Sequence, residues 1–297
     1  MTEFAHITVL LRETVDGVLP GPGKLFVDAT LGGGGHSEAL LEASGPDGRL
    51  IGIDRDPAAL VAAGERLARF GDRVRLVHGT FGEIARVVRE LGETAVDGII
   101  ADLGVSSPQL DHDERGFSFA RSGPLDMRMN PEDEPLSELL ERLSVDELAN
   151  VLYELGDERK SRAIARSIKA ALELGELHTT EDLRRTVVRV LGPKRGGIDP
   201  ATRTFQALRM AVNAELPQLE SLLSTGPDLL VPGGRMAIIS FHSGEDRLVK
   251  HTFRDDSRLR PLVKRPIEAS EEEAASNPRA RSAKLRICER VSAEEAP

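Results

Sequence analysis

Over its first hundred positions the chain alternates short apolar runs with stretches of helical period. Leu25-Phe26-Val27-Asp28 reads as a strand leading into Gly32–Gly35, and Ser37 to Ala43 as the helix that follows. Leu50-Ile51-Gly52-Ile53-Asp54 is a second strand, succeeded by an Ala-rich helix from Pro57 to Phe70. Val74-Arg75-Leu76-Val77 is a third strand, Phe81 to Leu91 a helix, and Asp97-Gly98-Ile99-Ile100-Ala101-Asp102 a fourth strand. Strand–helix alternation at this spacing predicts an α/β protein with a parallel, doubly wound sheet.

The rhythm then stops. From Pro108 to about Ala211 the pattern shows Pro/Gly punctuation and helical segments near Leu136–Arg142, Val145–Leu155, Lys160–Leu174 and Thr180–Leu191. Ser144 followed by Glu147, and Thr179 followed by Asp182, have the spacing of helix-starting caps. A strand pattern returns at Gly233–Ser240, and Leu259–Val263 and Lys284–Arg290 read as a final pair. The expected organisation is a sheet domain in two parts, 1–107 and 213–297, with a helical domain, 108–212, inserted between its fourth and fifth strands. Glu268–Ser276 is acidic and low in complexity, and reads as a mobile loop.

Composition narrows the class. A chain of 297 residues with 40% hydrophobic positions can bury a sizeable core without staples. A single cysteine, Cys288, excludes an intrachain disulfide framework and reads as structural. The seven histidines have no metal-ligand spacing, so no metal is expected. No apolar run reaches membrane-span length and the first twenty residues are not a signal peptide, which points to a soluble, cytoplasmic protein without a membrane partner. The net charge of −10 argues against a general nucleic-acid coat. Between Arg159 and Arg209, however, twelve Lys/Arg stand against five Asp/Glu, which suits either a docking surface or a solvated helical face.

Candidate chemistry gathers at the strand ends. Strand one ends in Asp28 and runs into four glycines, His36 and Ser37; glycine lets the backbone approach a ligand closely. Strand two ends in Asp54, placed to accept both hydroxyls of a ribose. Strand three leads to Gly79-Thr80-Phe81, an aromatic beside the expected adenine, and strand four ends in Asp102. A glycine run alone fits a flexible loop equally well; with two strand-end aspartates it reads as a ligand crevice. The dinucleotide pattern G-x-G-x-x-G needs Gly or Ala where Ser37 stands, which disfavours NAD. S-adenosylmethionine (SAM) has no pyrophosphate and suits the Asp28–glycine edge better.

Further motifs run almost the full length. They are His6–Leu11, Asp28 through Gly34-Gly35-His36-Ser37, Ile53–Asp56, Asp102-Leu103-Gly104-Val105-Ser106-Ser107-Pro108-Gln109-Leu110-Asp111, Arg115–Phe119 and Pro124–Met129. Thr202–Arg209, Ser240-Phe241-His242-Ser243 and Asn277–Arg286 complete the series. On these the chain resembles the ribosomal RNA small subunit methyltransferase H family, SAM-dependent enzymes that methylate the N4 amine of a cytidine in the decoding region of 16S rRNA. The resemblance implies a Rossmann-like methyltransferase domain with a helical insertion. It also implies SAM contacts at Gly34, Gly35, His36, Asp54, Phe81, Asp102 and Gln109. Its partner would be 16S rRNA in the small ribosomal subunit, and a homodimer is allowed. One departure is Gly244, where the family usually has leucine after Phe-His-Ser; Ser243 with Asp246 three residues on still has the spacing of a helix start.

A cytosine N4 amine is a weak nucleophile, so the site must hold it in line with the methyl–sulfur bond and accept its hydrogens. Amino-group methyltransferases carry a Ser/Asp/Asn-Pro-Pro-aromatic motif after strand four; Ser106-Ser107-Pro108-Gln109 matches it in part. Asp102 and Ser107 are therefore expected to organise the amine, with a nearby backbone carbonyl as its acceptor and His242 either a proton acceptor or a structural histidine. Phe117 and Phe119 suit a stacking surface for a splayed-out cytosine, or packing of the insertion. Arg184, Arg185 and Arg189 are expected to meet RNA, with Arg279, Arg281, Lys284 and Arg286 as the competing surface. The rival functions are an RNA- and SAM-binding assembly factor without turnover, and a methyltransferase of another macromolecule.

Overall fold

The computed structural model describes residues 8–193, 197 and 199–292, and leaves aside the side chains of residues 107 and 108. His6 and Ile7 of the first motif lie outside the described residues, as does the side chain of Ser107. The chain divides into two compact units: the described residues up to Gly104 with those from Leu216 onward, and Val105–Glu215.

The first unit is built on one seven-stranded sheet. Its strands are β1 (Leu25–Asp28), β2 (Arg49–Asp54), β3 (Val74–His78), β4 (Val96–Asp102), β5 (Leu230–Ser240), β6 (Leu259–Pro261) and β7 (Lys284–Arg290). Their order is β3-β2-β1-β4-β5-β7-β6. β1 to β5 are parallel, while β7 runs antiparallel to both β5 and β6. This is a Rossmann-like, doubly wound sheet with an antiparallel strand near one edge.

The unbroken apolar runs have a physical reason: the central strands are covered on both faces. Val27, Ile51, Ile99 and Ile238 point into one buried cluster, and Phe26, Leu50, Ile100 and Ile239 into another on the opposite face. Helix Gly35–Ala43 packs in the second cluster through Leu40 and Leu41, and Ile84, Val87 and Val88 fill the first. Gly98 keeps β4 free of a side chain where a Cβ would lie 2.8 Å from the Phe26 ring.

The second unit has its own core, formed by helices Leu136–Arg142, Val145–Gly156, Ser161–Glu173, Thr180–Leu191 and Thr202–Val212. The expected caps form as full capping boxes: Ser144 with Glu147, and Thr179 with Asp182. Helix Thr202–Val212, carried in the sequence only as a motif, contributes Phe205 and Leu208.

Three local expectations are corrected. Glu268–Ser276 is not a loop throughout: Glu271–Ser276 is a helix capped by the Ser270 hydroxyl, which accepts the amide of Glu273. Its Glu273 carboxylate accepts the backbone amide of Leu10 at 2.8 Å, and Ile267 pairs with Leu285 in an isolated bridge. The segment expected to start at Phe81 as one helix opens as a 3-10 turn, Phe81–Glu83, before helix Ile84–Glu90. Ser243 does not cap helix Ser243–Asp255; His242 does.

Candidate active site

In an open parallel sheet, ligands bind beyond the carboxyl ends of the strands where the strand order reverses. Here that point lies between β1 and β4. The segment leaving β1 bridges it: Ala29 donates its amide to Ile100 of β4 and Leu31 to Ile53 of β2. Gly34 then donates to the Leu31 carbonyl and precedes helix Gly35–Ala43 in a left-handed conformation, φ 76°. That φ suits glycine without steric cost. At Gly35 the reason is space, because a Cβ would lie 2.0 Å from the Thr8 hydroxyl.

Three carboxylates converge on this edge. Asp28, 2% exposed, accepts from the Ser37 hydroxyl at 2.6 Å and from the Thr30 amide at 3.2 Å. Asp54 accepts the Gly32 amide at Oδ2 and the Asp56 amide at Oδ1, both at 2.8 Å. Burial raises the pKa of each to about 6 against these stabilising hydrogen bonds. A carboxylate oxygen has two lone pairs, so each Asp54 oxygen keeps one for a second donor, such as a ribose hydroxyl. Asp54 also gathers the neighbouring turn: Gly79 donates to its carbonyl at 3.0 Å. Phe81 follows, packed against the cluster that holds Ile53 and fixed by the Thr80–Glu83 capping box.

Asp102 differs from the other two. Its amide is held by the Thr30 hydroxyl at 2.6 Å, but its buried Oδ1 accepts no hydrogen bond. Burial, then repulsion from Asp28 and Glu245, raises its pKa to about 8; Arg279 opposes the shift. Its Oδ2 lies 4.0 Å from Nδ1 of His36. His36 is buried, with Nε2 3.1 Å from the Val9 carbonyl. A carbonyl only accepts, so Nε2 carries the hydrogen and Nδ1 faces Asp102. An orphaned acceptor at a strand end is the group a cationic or N–H-bearing ligand completes.

His242 follows β5 at the same sheet edge, but its ring is engaged locally. Nδ1 accepts the Glu245 amide at 3.4 Å and Nε2 lies 2.9 Å from Glu245 Oε1. Nδ1 thus serves the helix start, while Nε2, close to Glu245 but not aligned with it, is buried without a hydrogen bond. Gly244 leaves the imidazole room, since a Cβ there would lie 3.3 Å from Nδ1. Glu245, 2% exposed, also accepts the Phe241 amide at 3.1 Å. Sequence reasoning missed Glu245 as a neighbour of Asp102; its place in the first turn after β5 was the available signal. It also missed the pair formed by Asp246 and Arg286, with Arg286 Nε 2.7 Å from Oδ1.

The remaining candidates lie in the helical unit. Gln109 is 6% exposed and its Oε1 accepts the Ser106 amide at 2.9 Å. Phe117 is buried in the helical core with Arg115 over its ring at 5.8 Å. Phe119 meets Phe205 edge-on with centroids 4.8 Å apart. Arg184 is paired with Asp199 at 2.8 Å and Arg185 with Asp182, while Arg189 is exposed with no ion pair among the described residues. Of the C-terminal basic residues, Arg286 is bound to Asp246 and Lys284 Nζ lies 3.8 Å from the same carboxylate. Cys288 is buried and its thiol is pushed far up by burial, which makes it inert.

Residues 3–291 match the model of the MraW methylase family. A Sorangium cellulosum protein named ribosomal RNA small subunit methyltransferase H is 56% identical over 293 residues, covering 98% of this chain and 92% of the relative. Its namesake in Synechococcus elongatus is 50% identical over 98% of this chain and 96% of its own. That of Trichlorobacter lovleyi is 48% identical over 98% and 100%. With residues 3–291 matched by the family model and a relative 56% identical over 98% of its length, the chain belongs to the MraW methylase family.

Proposed function

We propose that the chain transfers a methyl group from SAM to the N4 amine of a cytidine in the decoding region of 16S rRNA, acting on the small ribosomal subunit. The observation that carries this is the crevice between β1 and β4, with three strand-end carboxylates and an unsatisfied Asp102 oxygen, in a chain half-identical to small-subunit rRNA methyltransferases.

Gly34, Gly35, His36, Asp54, Phe81 and Asp102 form the cofactor shell in this reading, and the family resemblance alone adds Gln109. The free lone pairs of Asp54 take the ribose hydroxyls, and Phe81 lies along the adenine. The glycines let the amino-acid end of SAM approach the backbone. SAM supplies a methyl group activated by its sulfonium. With SAM bound, transfer of that methyl to the cytosine nitrogen would release one N–H proton, for which Asp102 Oδ1 is the unsatisfied acceptor at this edge.

The Asp102 Oδ1 is the acceptor that the chain offers to an N–H in this crevice. A cation bound beside it favours its ionised form, drawing its pKa down from the raised value of the empty site. Ser107 joins it as an organiser of the amine. His242 holds the turn after β5 through Nδ1, and its buried Nε2, which makes no hydrogen bond, is the competing acceptor. Phe117 and Phe119 serve the target base through the shape of the helical core they build. Arg189 lies on the basic face that RNA meets, whereas Arg184 and Arg185 are already held by Asp199 and Asp182.

The test is methyl incorporation into purified small subunits, followed by mass spectrometry of the rRNA nucleosides. N4-methylcytidine appearing only with active protein and SAM is the expected result. Tight SAM and subunit binding with no incorporation would leave an assembly factor. Incorporation into a protein or another nucleoside would replace the substrate.

A further inference from the structure

Arginines in the helical unit fall into two groups by what already neutralises them. Arg184 and Arg185 are held by Asp199 and Asp182. Arg159, Arg162, Arg166 and Arg189 are all exposed, and among the described residues none of the four makes an ion pair or hydrogen bond. An arginine with no carboxylate of its own is the one whose charge reaches an outside phosphate.

The four gather toward one end of a helix pair. Helices Ser161–Glu173 and Thr180–Leu191 are joined by a short connection and pack against each other. Lys160 Nζ donates to the Val190 carbonyl at 3.5 Å, which sets the start of the first helix beside the end of the second. Arg159, Lys160 and Arg162 stand at that start, Arg189 at that end, and Arg166 one turn further along. The first turn of Ser161–Glu173 contains no acidic residue and no side-chain cap, so the helix dipole has the same sign there. The carboxylates nearest in sequence are Glu154 and Asp157, which are exposed, and Glu158, which is buried with its Oε1 on the Lys160 amide at 2.9 Å.

An aromatic that the core does not use lies on the preceding helix, Val145–Gly156, which packs against helix Ser161–Glu173. Tyr153, the only tyrosine of the chain, is 61% exposed near the end of helix Val145–Gly156. In a chain with 3% aromatic residues, an exposed ring six residues before Arg159, on the helix packed against that of Arg162 and Arg166, is unusual. Flat aromatic faces stack on unpaired bases, and arginines bind phosphates, which together are the chemistry of single-stranded RNA recognition.

We infer that this corner docks single-stranded RNA, with Arg159, Arg162, Arg166 and Arg189 on the phosphates and Tyr153 stacked on an unpaired base. It rests on the reading of the chain as an rRNA methyltransferase and assigns that enzyme's docking surface. An acidic protein partner would satisfy the arginines but leave the ring without a role.

The test uses the full chain and a short unstructured RNA oligonucleotide, titrated over a range of salt. Arg162→Glu with Arg166→Glu is expected to weaken binding at least about tenfold and to flatten the logarithmic salt dependence by about 0.7 per lost phosphate contact. Tyr153→Ala is expected to weaken binding about tenfold with the slope unchanged, and Tyr153→Phe to restore it. Arg184→Gln with Arg185→Gln is expected to bind like the unaltered chain. Thermal midpoints and SAM affinity measured alongside should stay constant, which separates docking from misfolding. Unchanged RNA affinity in the reversal pair, or polyglutamate binding as tight as RNA and indifferent to Tyr153, overturns the assignment. Methyl transfer by the unaltered chain, measured separately, distinguishes the two failures: transfer without a patch effect removes only the docking surface, and a patch effect without transfer removes only the enzymatic reading.

Discussion

The hydroxyl of Ser37 donates a 2.6 Å hydrogen bond to the buried carboxylate of Asp28. It joins the first turn of the helix after the glycine loop to the last residue of β1, so the loop is held at both ends. Ser37→Ala removes one of two donors from a buried acid. The expected cost is about 1–3 kcal/mol, the usual penalty for an under-satisfied buried group, read as a lower urea midpoint. Because burial already favours the protonated acid, the Asp28 pKa should climb further from its value of about 6.

Asp54→Ala should weaken SAM binding by about 2–3 kcal/mol, which calorimetry measures directly, since hydrogen bonds to a charged acceptor contribute about 1.5–3 kcal/mol each. Asp54 also accepts the Gly32 and Asp56 amides, so part of the loss comes from a loosened loop. Equal affinity in the variant would remove Asp54 from the cofactor shell.

The raised pKa of Asp102 has a defined consequence for stability. Its folded value, about 8, lies above the 3.8 of an unperturbed aspartate, so the folded state holds the extra proton between them. Stability from this group is present in full below about pH 4 and is lost as pH rises through about 8. Asp102→Asn should flatten the decline of stability across that window. A cationic cofactor has the opposite preference, because it favours the carboxylate. SAM affinity should therefore rise between pH 6 and 8 in the unaltered chain and not in Asp102→Asn. Parallel pH profiles would exclude Asp102 from contact with the cofactor's charge.

Asp246→Asn leaves the Arg286 guanidinium, 9% exposed at its side chain, without its carboxylate. Breaking one side of a buried pair costs about 3–5 kcal/mol, and differential scanning calorimetry should show the loss. Replacing both by an apolar pair should recover much of it, because the desolvation of two charges disappears together.

The sheet was legible because its strands are covered on both faces and flanked by turns; Lys284–Arg290 appears as a strand with its expected bounds. Asp28, Asp54 and Asp102 were legible for the same reason, since a polar residue closing an apolar run marks a strand end. What escaped depends on partners far away in the chain. Glu273 reads as part of a featureless acidic run, yet its carboxylate binds the amide of Leu10. Ser243 has the right spacing for a cap, but the preceding His242 takes that place because Gly244 leaves space for its ring. Twelve basic residues counted together hide the difference between Arg184, already paired, and Arg162, which is not.

The β4–β5 pairing also orders events during synthesis. β4 ends at Asp102, but the strand that covers its open side begins only at Leu230, after the whole helical unit has been made. Until then the nascent sheet ends on an apolar strand with free amides and carbonyls, an edge prone to pairing with another chain. The helical unit, made of contacts local in sequence, can fold first, while closure of the sheet waits for the C-terminal strands. A chain arrested between Glu215 and Leu230 should therefore aggregate through β4, and the sheet edge that carries Asp102 should be completed last.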